Sequence, residues 1–290
     1  MIRYFTDTDT EFRPEDAKKY GYELISMPYT MNNKTYYPYV TEGELNYKDY
    51  YNTLRRGVIP TTSAMNTAEY LEIFEPVFKN GDDVCYVHFS SAMSASFDFL
   101  DKAIEELKEK YPERKFYKID TLGITIGAYI IVDEIGQMIK AGKSLEEILK
   151  FADEEIQHFA CYFFVTDLKF FRRSGRVSGF ASIMGNLIGI RPIIYINEKG
   201  VMTNIGKTRG NLKAINYLLE KMDEIGLDVK DHKVVLGHSD GDAQLIEQLK
   251  QELHAKYGDD LVIDEVIVNP TMGAHCGPDG IGLAFHAKNR

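Results

Sequence analysis

The chain has few of the features that tie a protein to an oxidising compartment or to a membrane. Its 290 residues include three cysteines, Cys85, Cys161 and Cys276, which lie far apart and form no CxxC pair. This spacing gives neither a disulfide framework nor a four-thiolate zinc site, and it favours a reducing cytoplasm. The most apolar stretches, 122–132 and 180–196, are shorter than the roughly 20 residues that cross a bilayer. We therefore expect no transmembrane helix.

Signals for secretion and for nucleic-acid binding are also scarce. The first ten residues, MIRYFTDTDT, reach a polar or charged side chain at every second or third position. We expect no secretory signal there and a mature start near Met1. The chain has 34 basic and 44 acidic residues and a net charge of -10, which argues against nucleic acid as the main partner. The nucleotide-binding patterns GxGxxG and GxxxxGK[ST] are both absent, which weakens a nucleotide or sugar-phosphate site.

Predicted strands and helices alternate along the chain, which is typical of an α/β fold. Runs rich in β-branched and aromatic residues predict strands at 2–6, 22–30, 83–89, 115–119, 161–166, 191–196, 233–237 and 261–268. Apolar residues at helical spacing predict helices at 47–56, 67–79 and 94–110. Helical crossovers between strands predict parallel pairing in the first half. The charge balance changes after residue 158, so we predict an N-terminal domain at 1–158 and a C-terminal domain at 159–290, with a cleft between them.

Two pairs of residues predict where helices begin. Asn66 is followed by Glu69, and Ser144 is followed by Glu147, each at a separation of three positions. This is the spacing of a capping box, in which the first side chain and the carboxylate satisfy each other's backbone amides.

Small hydroxyl and glycine residues follow several predicted strands. They lie in TDTDTE (6–11), TTSAMN (61–66), FSSAMSASF (89–97) and DTLGITIGA (120–128). Loops at the carboxyl edge of a sheet expose amides and hydroxyls that bind anions. Each segment alone also fits a capped helix start with no ligand.

A fifth segment, GAHCGPDGIG (273–282), surrounds His275 with glycines that allow a close backbone approach to a ligand. His275 could donate a hydrogen bond to a carboxylate, or it could be a structural residue in a tight turn. Cys276 beside it could suggest a thiol nucleophile, but adjacent side chains in an extended chain point apart.

Residues 237–241, GHSDG, match the G-x-S-x-G nucleophile elbow between a predicted strand and helix. This makes a serine hydrolase using Ser239 the alternative function. Against it, only 49 residues and one clear strand, 261–268, follow Gly241. The same segment places His238, Asp240 and Asp242 in an alternating set that could bind a metal ion, although such a set without a second cluster is more often a solvated turn.

The basic residues are concentrated in 169–209, which holds eight of them against one acidic residue. The segment LKFFRRSGRVSG (168–179) contributes Arg172, Arg173 and Arg176. Arginine suits bidentate contacts to carboxylate or phosphate, so we expect this stretch to attract a phosphate-bearing partner or product.

Taken in order, these motifs resemble the DegV family of bacterial fatty-acid-binding proteins over nearly the whole chain. The opening FTDTDTEF resembles the family's TDS start, TTSAMN its TSQPS signature and FSSAMSASF its SSGLSGTY. DTLGITIGA, LKFFRRSGRVSG with GIRPIIYINEKGVM, and GAHCGPDGIGLAF follow in family order.

The resemblance implies two α/β domains with a long-chain fatty acid buried between them. It implies Thr62, Ser63 and Ser91 as hydrogen-bond donors to the carboxylate, with His275 beside them. Ser90, Ser94 and Gly277 are expected near the ligand. The protein would have no catalytic residue, metal or cofactor, and would present the acid to a separate ATP-dependent fatty acid kinase, in the cytoplasm and in transient contact with a membrane surface. We expect the basic residues to face the kinase or the acyl phosphate: Arg172, Arg173, Arg176, Arg191 and Arg209.

This chain departs from the family pattern at several positions. Ala64, Met65 and Asn66 replace the usual Gln-Pro-Ser, and Cys276 replaces the Thr that usually follows the histidine. In the third motif, alanines and a methionine replace Gly-Leu-Gly. The hydroxyl groups are retained, so these changes bear on the shape of the tunnel and the preferred acyl chain.

Overall fold

The computed structural model describes residues 1–41, 46–178 and 189–290. Within them the chain builds two larger sheets, a small third sheet and ten α-helices. The α/β class predicted from the sequence is confirmed. Among the described residues, no helix combines the length and the apolar character that a bilayer crossing requires.

The first sheet is entirely parallel, with the order β2-β1-β6-β7 in the described residues. Its strands are β1 (Ile2–Asp7), β2 (Tyr22–Ile25), β6 (Asp83–His88) and β7 (Phe116–Asp120). The helices of this half are α1 (Pro14–Tyr20), α2 (Tyr47–Arg55), α3 (Thr67–Lys79), α4 (Ser96–Lys110), α5 (Ile126–Lys140) and α6 (Leu145–Glu155). The parallel pairing predicted for this half is therefore correct.

A small antiparallel sheet, β4-β3-β5 in the described residues, lies beside the first. Its strands are β3 (Tyr29–Met31), β4 (Lys34–Tyr36) and β5 (Thr61–Thr62). The sequence predicted one strand over 22–30, but the chain leaves the first sheet after Ile25 and enters the small sheet at Tyr29. The intervening turn is held where the Thr8 hydroxyl accepts a hydrogen bond from the Met27 amide at 2.9 Å.

The second sheet is mixed and has the order β13-β12-β14-β8-β10-β11-β9 in the described residues. Its strands are β8 (Phe159–Phe164), β9 (Val177–Ser178), β10 (Ile190–Ile196), β11 (Met202–Arg209), β12 (Val234–His238), β13 (Ile263–Ile267) and β14 (Ile281–His286). The helices of this half are α7 (Leu168–Ser174), α8 (Asn211–Ile225), α9 (Ala243–Tyr257) and α10 (Pro270–Cys276). Strand β14 is central and buried at every position, although its glycine-rich sequence gave no strand prediction.

The two predicted helix starts are confirmed. Asn66 and Glu69 form a capping box at the start of α3, and Ser144 and Glu147 form one at the start of α6. Three 3₁₀ turns complete the described structure, at Thr8–Thr10, Ser91–Met93 and Ile156–His158. The turn at Ser91–Met93 displaces the start of α4 to Ser96, two residues after the predicted start.

Helix α5 lies between the two larger sheets and contacts both of them. The Asp133 carboxylate on α5 accepts a hydrogen bond from the Tyr20 hydroxyl at 2.7 Å and pairs with Lys233 from the second half at 2.8 Å. The largest hydrophobic core likewise contains residues from both halves, such as Phe5 and Phe159. The boundary near residue 158 stays a prediction, and the two halves share one core across it.

Candidate functional site

A cavity of about 1080 Å³, part of it open to solvent, lies between the two halves. Its walls are mainly apolar and come from both sides: Met27, Phe89 and Ile124 from the first half, and Phe163, Phe171 and Met202 from the second. A cavity of this size and character suits a ligand with a large apolar part.

Thr62 and His275 meet at the more exposed end of the cavity. The Thr62 Oγ1 lies 3.0 Å from the His275 Nε2, within hydrogen-bonding distance. Thr62 lies on β5, which is held by antiparallel pairing with β3, and His275 lies near the end of α10. The Asn269 side chain caps α10 by accepting hydrogen bonds from the Thr271 and Met272 amides. Two distant segments of the chain, both predicted as candidate sites, are thus brought together.

His275 is neutral at physiological pH. Burial, and then the positive charge of Arg176, lowers the pKa of its imidazole to about 4. Arg176 follows α7 and also lines the cavity, with an exposed side chain. This end of the cavity therefore offers a hydroxyl, an uncharged imidazole and one guanidinium.

The other predicted ligand-binding residues differ in whether they line the cavity and in the partners of their hydroxyl groups. Ser63 and Ser94 line the cavity, and the Ser94 hydroxyl donates to the Ser96 hydroxyl at 2.9 Å. Ser90 is buried and donates to the Gly200 carbonyl at 2.8 Å. Ser91 is exposed and donates to the Asp120 carboxylate at 2.5 Å.

Gly277 ends α10 with a φ of 70°, and a side chain there would collide with the Phe170 ring. A glycine is thus required to bring α7 against α10. Among Ser90, Ser91 and Gly277, none lines the cavity in the described structure. Their assignment to the ligand stays a prediction.

Three acidic side chains, Asp7, Asp9 and Glu11, are buried at the turn that follows β1. Asp9 lines the cavity and the other two do not, and we call this acidic region the inner end of the cavity. Burial raises the pKa of Asp7 to about 7, and that of Glu11 to about 8. Burial and the two neighbouring carboxyls also raise the pKa of Asp9. The sequence analysis noticed the hydroxyls of TDTDTE and missed these carboxyls; the available signal was three acids at alternate positions directly after a strand.

The five predicted phosphate-facing arginines are spread over three elements, α7, β10 and β11, and the residues that follow α7. Arg172 and Arg173 are exposed on α7, which contacts α10. Arg191 on β10 donates to the Asn211 side chain at 2.6 Å, and Arg209 is exposed on β11. Of the five, only Arg176 lines the described cavity.

The G-x-S-x-G segment has the wrong surroundings for a nucleophile. Ser239 is buried, and its Oγ accepts a hydrogen bond from the Gly280 amide at 2.8 Å. In the described part of the chain, no histidine ring forms a hydrogen bond with Ser239. The serine hydrolase alternative is therefore not supported. Cys276 is an equally poor nucleophile, because burial raises the pKa of its thiol to about 12.

The three residues of the same segment that could have bound a metal ion, His238, Asp240 and Asp242, each have a different structural contact. His238 lies 3.2 Å from Glu265, Asp240 pairs with Arg55 at 2.6 Å, and Asp242 caps α9. The described residues contain no cluster of three or more His, Cys, Asp or Glu side chains suited to hold a metal ion.

Comparisons with known proteins agree on one family. The model of a family described as "Uncharacterised protein, DegV family COG1307" matches residues 1–288. The DegV domain-containing protein CPE0026 from Clostridium perfringens is 30% identical over 284 residues, which cover 97% of this chain and 96% of that protein.

Solved structures share the fold. The structure titled as a fat acid (stearic acid)-binding protein from Eubacterium ventriosum has a TM-score of 0.83 at 20% identity, with 99% of each chain covered. DegV, titled as a fatty acid binding protein from Bacillus subtilis, has a TM-score of 0.81 at 24% identity, also with 99% of each chain covered.

Proposed function

Because this chain belongs to the DegV family, we propose that it binds a long-chain fatty acid in the cavity between its two halves. The acyl tail occupies the apolar part of the cavity, and the carboxylate lies at Thr62 and His275. Relatives with the same fold are titled as binding fatty acids, including stearic acid, and the proposal extends this ligand class to the present chain.

The observation that carries the proposal is the combination of an apolar cavity with a neutral polar pair at its exposed end. Each buried methylene contributes about 0.8 kcal/mol, so a long tail supplies most of the affinity. The carboxylate then needs only a few hydrogen-bond donors to fix its position. Because the Thr62 hydroxyl and the neutral His275 imidazole are hydrogen-bonded to each other, the pair supplies one donor to the carboxylate, and Ser63 beside Thr62 is a second candidate.

Arg176 adds a charged group to a site for which the sequence predicted only uncharged groups near the carboxylate. Its position on the cavity wall supports a second role besides contact with a partner. A guanidinium at an exposed end interacts with a carboxylate across solvent, so it attracts the acid electrostatically without the cost of a buried ion pair. We assign Arg176 to the attraction of the carboxylate and, after phosphorylation, of the acyl phosphate.

The same site would present the acid to a separate ATP-dependent fatty acid kinase, as the family resemblance implies. The exposed arginines of α7, Arg172 and Arg173, lie on the helix that contacts α10, which carries His275. A cationic surface beside the carboxylate favours the approach of a nucleotide-bearing partner. In this role the chain is a cytoplasmic carrier with no turnover of its own, and Arg191 and Arg209 are further candidates for contact with the partner.

Native mass spectrometry of the protein purified from bacteria tests the binding function. We expect a mass increment equal to one fatty acid per chain. His275→Ala should weaken retention of the acid, whereas His254→Ala, on helix α9, should not. A wild-type protein that carries no lipid and takes up none when fatty acid is added would contradict the proposal.

Charge reversal on α7 tests the kinase role. We expect Arg172→Glu with Arg173→Glu to reduce acyl phosphate formation by an added fatty acid kinase with ATP while fatty acid affinity stays unchanged. These two exposed residues are preferable to Arg176, because a reversed charge on the cavity wall would repel the carboxylate directly. Unchanged phosphorylation would remove this surface from the kinase contact.

A further inference from the structure

Asp9 is a buried carboxyl on the wall of a mainly apolar cavity. It lies in the 3₁₀ turn Thr8–Thr10 that follows β1, and 4% of the residue is exposed. Its backbone carbonyl accepts a hydrogen bond from the Thr125 amide at 2.9 Å, which fixes the turn beside Ile124 on the cavity wall. The Oδ1 atom of Asp9 is buried without a hydrogen-bond partner in the described structure.

The neighbouring Asp7, by contrast, is a buried carboxyl whose two oxygens both accept hydrogen bonds. Asp7 accepts hydrogen bonds from the Tyr86 hydroxyl at 2.9 Å, the Phe89 amide at 3.3 Å and the Asp9 amide at 3.0 Å. Three donors favour the charged form of Asp7. No such donors contact the Asp9 carboxyl among the described residues, and burial and then its two acidic neighbours raise its pKa, which favours the protonated form.

A protonated carboxyl can donate one hydrogen bond and accept another. An unbranched saturated tail passing Asp9 offers neither. Leaving a buried polar group unpaired costs about 1–3 kcal/mol. The matching ligand group is one that both accepts and donates, and a hydroxyl does both without adding a charge.

We propose that the cavity prefers an acyl chain that carries a hydroxyl group, and that this hydroxyl pairs with Asp9. The inference rests on the proposed fatty acid binding and names a narrower ligand class for it, the hydroxylated long-chain fatty acids. A second carboxylate on the ligand fits less well, because it would bring a further negative charge to three clustered acids. A metal ion fits less well too, since the described residues hold no cluster of three or more side chains suited to a metal, and both Asp7 oxygens already accept hydrogen bonds within the fold.

Competition between stearate and its hydroxylated derivatives on the delipidated wild-type protein tests the inference. Native mass spectrometry compares stearate with hydroxystearates that carry the hydroxyl at successive positions along the chain. We expect at least one positional isomer to bind about tenfold more tightly than stearate. If every isomer binds no more tightly than stearate, the inference is overturned while fatty acid binding stands. If neither class binds, the proposed function itself fails.

Two variants locate the preference at Asp9. Asp9→Leu should abolish the advantage of the hydroxylated acid and improve stearate binding, whereas Asp9→Asn, which keeps a donor and an acceptor, should retain part of it. The matched control is Asp153→Leu, the same change at an exposed position on α6. If Asp9→Leu keeps the full preference for the hydroxylated acid, the assignment to Asp9 is overturned. The same holds if Asp9→Asn and Asp9→Leu keep that preference to the same extent.

Discussion

The two ends of the cavity keep their ionisable groups neutral in opposite ways. At the exposed end, burial and Arg176 keep the base His275 unprotonated, with a pKa of about 4. At the inner end, burial keeps acids protonated, with a pKa of about 8 for Glu11. The difference teaches that one physical cause, the removal of water, produces both results, because desolvation disfavours the charged form of acids and bases alike. The ends differ in accessibility, and only the exposed end holds a permanent charge.

Breaking the inner end should have the largest effect. Asp7→Ala removes the common acceptor of the Tyr86 hydroxyl and the Phe89 and Asp9 amides. Because these buried donors would be left unpaired, we expect the free energy of unfolding to fall by about 4 kcal/mol. Urea denaturation measures it, with Asp153→Ala at an exposed position as the control. Equal losses in the two variants would show that the inner end does not depend on this network.

The pH dependence of stability separates the two ends. Glu11 has a folded pKa of about 8 against an ordinary 4.5, so the folded state holds an extra proton between these values and loses stability as pH rises through them. His275 has a folded pKa of about 4 against 6.5, so the unfolded state binds more protons there and stability falls as pH drops through that window.

Substituting these residues should therefore remove opposite slopes. In lipid-free protein, Glu11→Gln should gain stability relative to wild type as pH rises from 4.5 to 8, by roughly 2 kcal/mol. His275→Gln should gain as pH falls from 6.5 to 4, by about 1 kcal/mol, since its ring is partly exposed. Urea midpoints across the pH range measure both. If both variants gained stability in the same direction of pH change, the opposite pKa shifts assigned to Glu11 and His275 would be contradicted.

A smaller effect is expected from removing a single hydroxyl at the exposed end. Thr62→Val keeps the shape of the side chain and removes the group that lies 3.0 Å from the His275 ring. We expect fatty acid affinity to fall about tenfold, with little change in stability. Calorimetric titration of delipidated protein measures it, and Thr61→Val, at the exposed neighbouring position, is the control. Unchanged affinity in Thr62→Val would remove this hydroxyl from the carboxylate site.

The smallest expected effect concerns Arg176 as a neighbour of His275. Arg176→Gln should raise the pKa of the imidazole by less than about one unit, because burial is the larger cause of its lowering. NMR titration of His275 in the lipid-free protein measures the change, with Arg172→Gln as the control. An identical shift in both variants would show that long-range charge, not proximity, accounts for it.

Local patterns in the sequence predicted the local parts of the fold. The capping pairs at Asn66 and Ser144 act over three residues, and both are found. Strand β14 was missed because its glycines resemble a turn. Tertiary packing requires the glycine at position 282, since a side chain there would come within 2.6 Å of the Phe163 Cβ on the neighbouring strand.

The candidate site was predictable to a similar degree. Thr62 and His275 stood out as polar residues in glycine- or hydroxyl-rich segments, and they meet in the structure. Ser91 looked equivalent, but its hydroxyl is engaged by Asp120, a partner 29 positions away. Asp9 could not be recognised, because an acidic residue after a strand is usually solvated, whereas here its turn is packed against α5 and held by the Thr125 amide.

Helix α5 has a consequence for how the cavity is filled. It packs against both larger sheets, and its Asp133 is tied to Tyr20 on one side and Lys233 on the other. Swinging the halves apart would separate Lys233 from this nearly fully buried carboxylate, and its hydrogen bond with Tyr20, within the first half, would not replace the lost cation. We therefore expect a fatty acid to enter and leave through the open part of the cavity while the halves stay together. The rate of this exchange should fall as the acyl chain becomes longer.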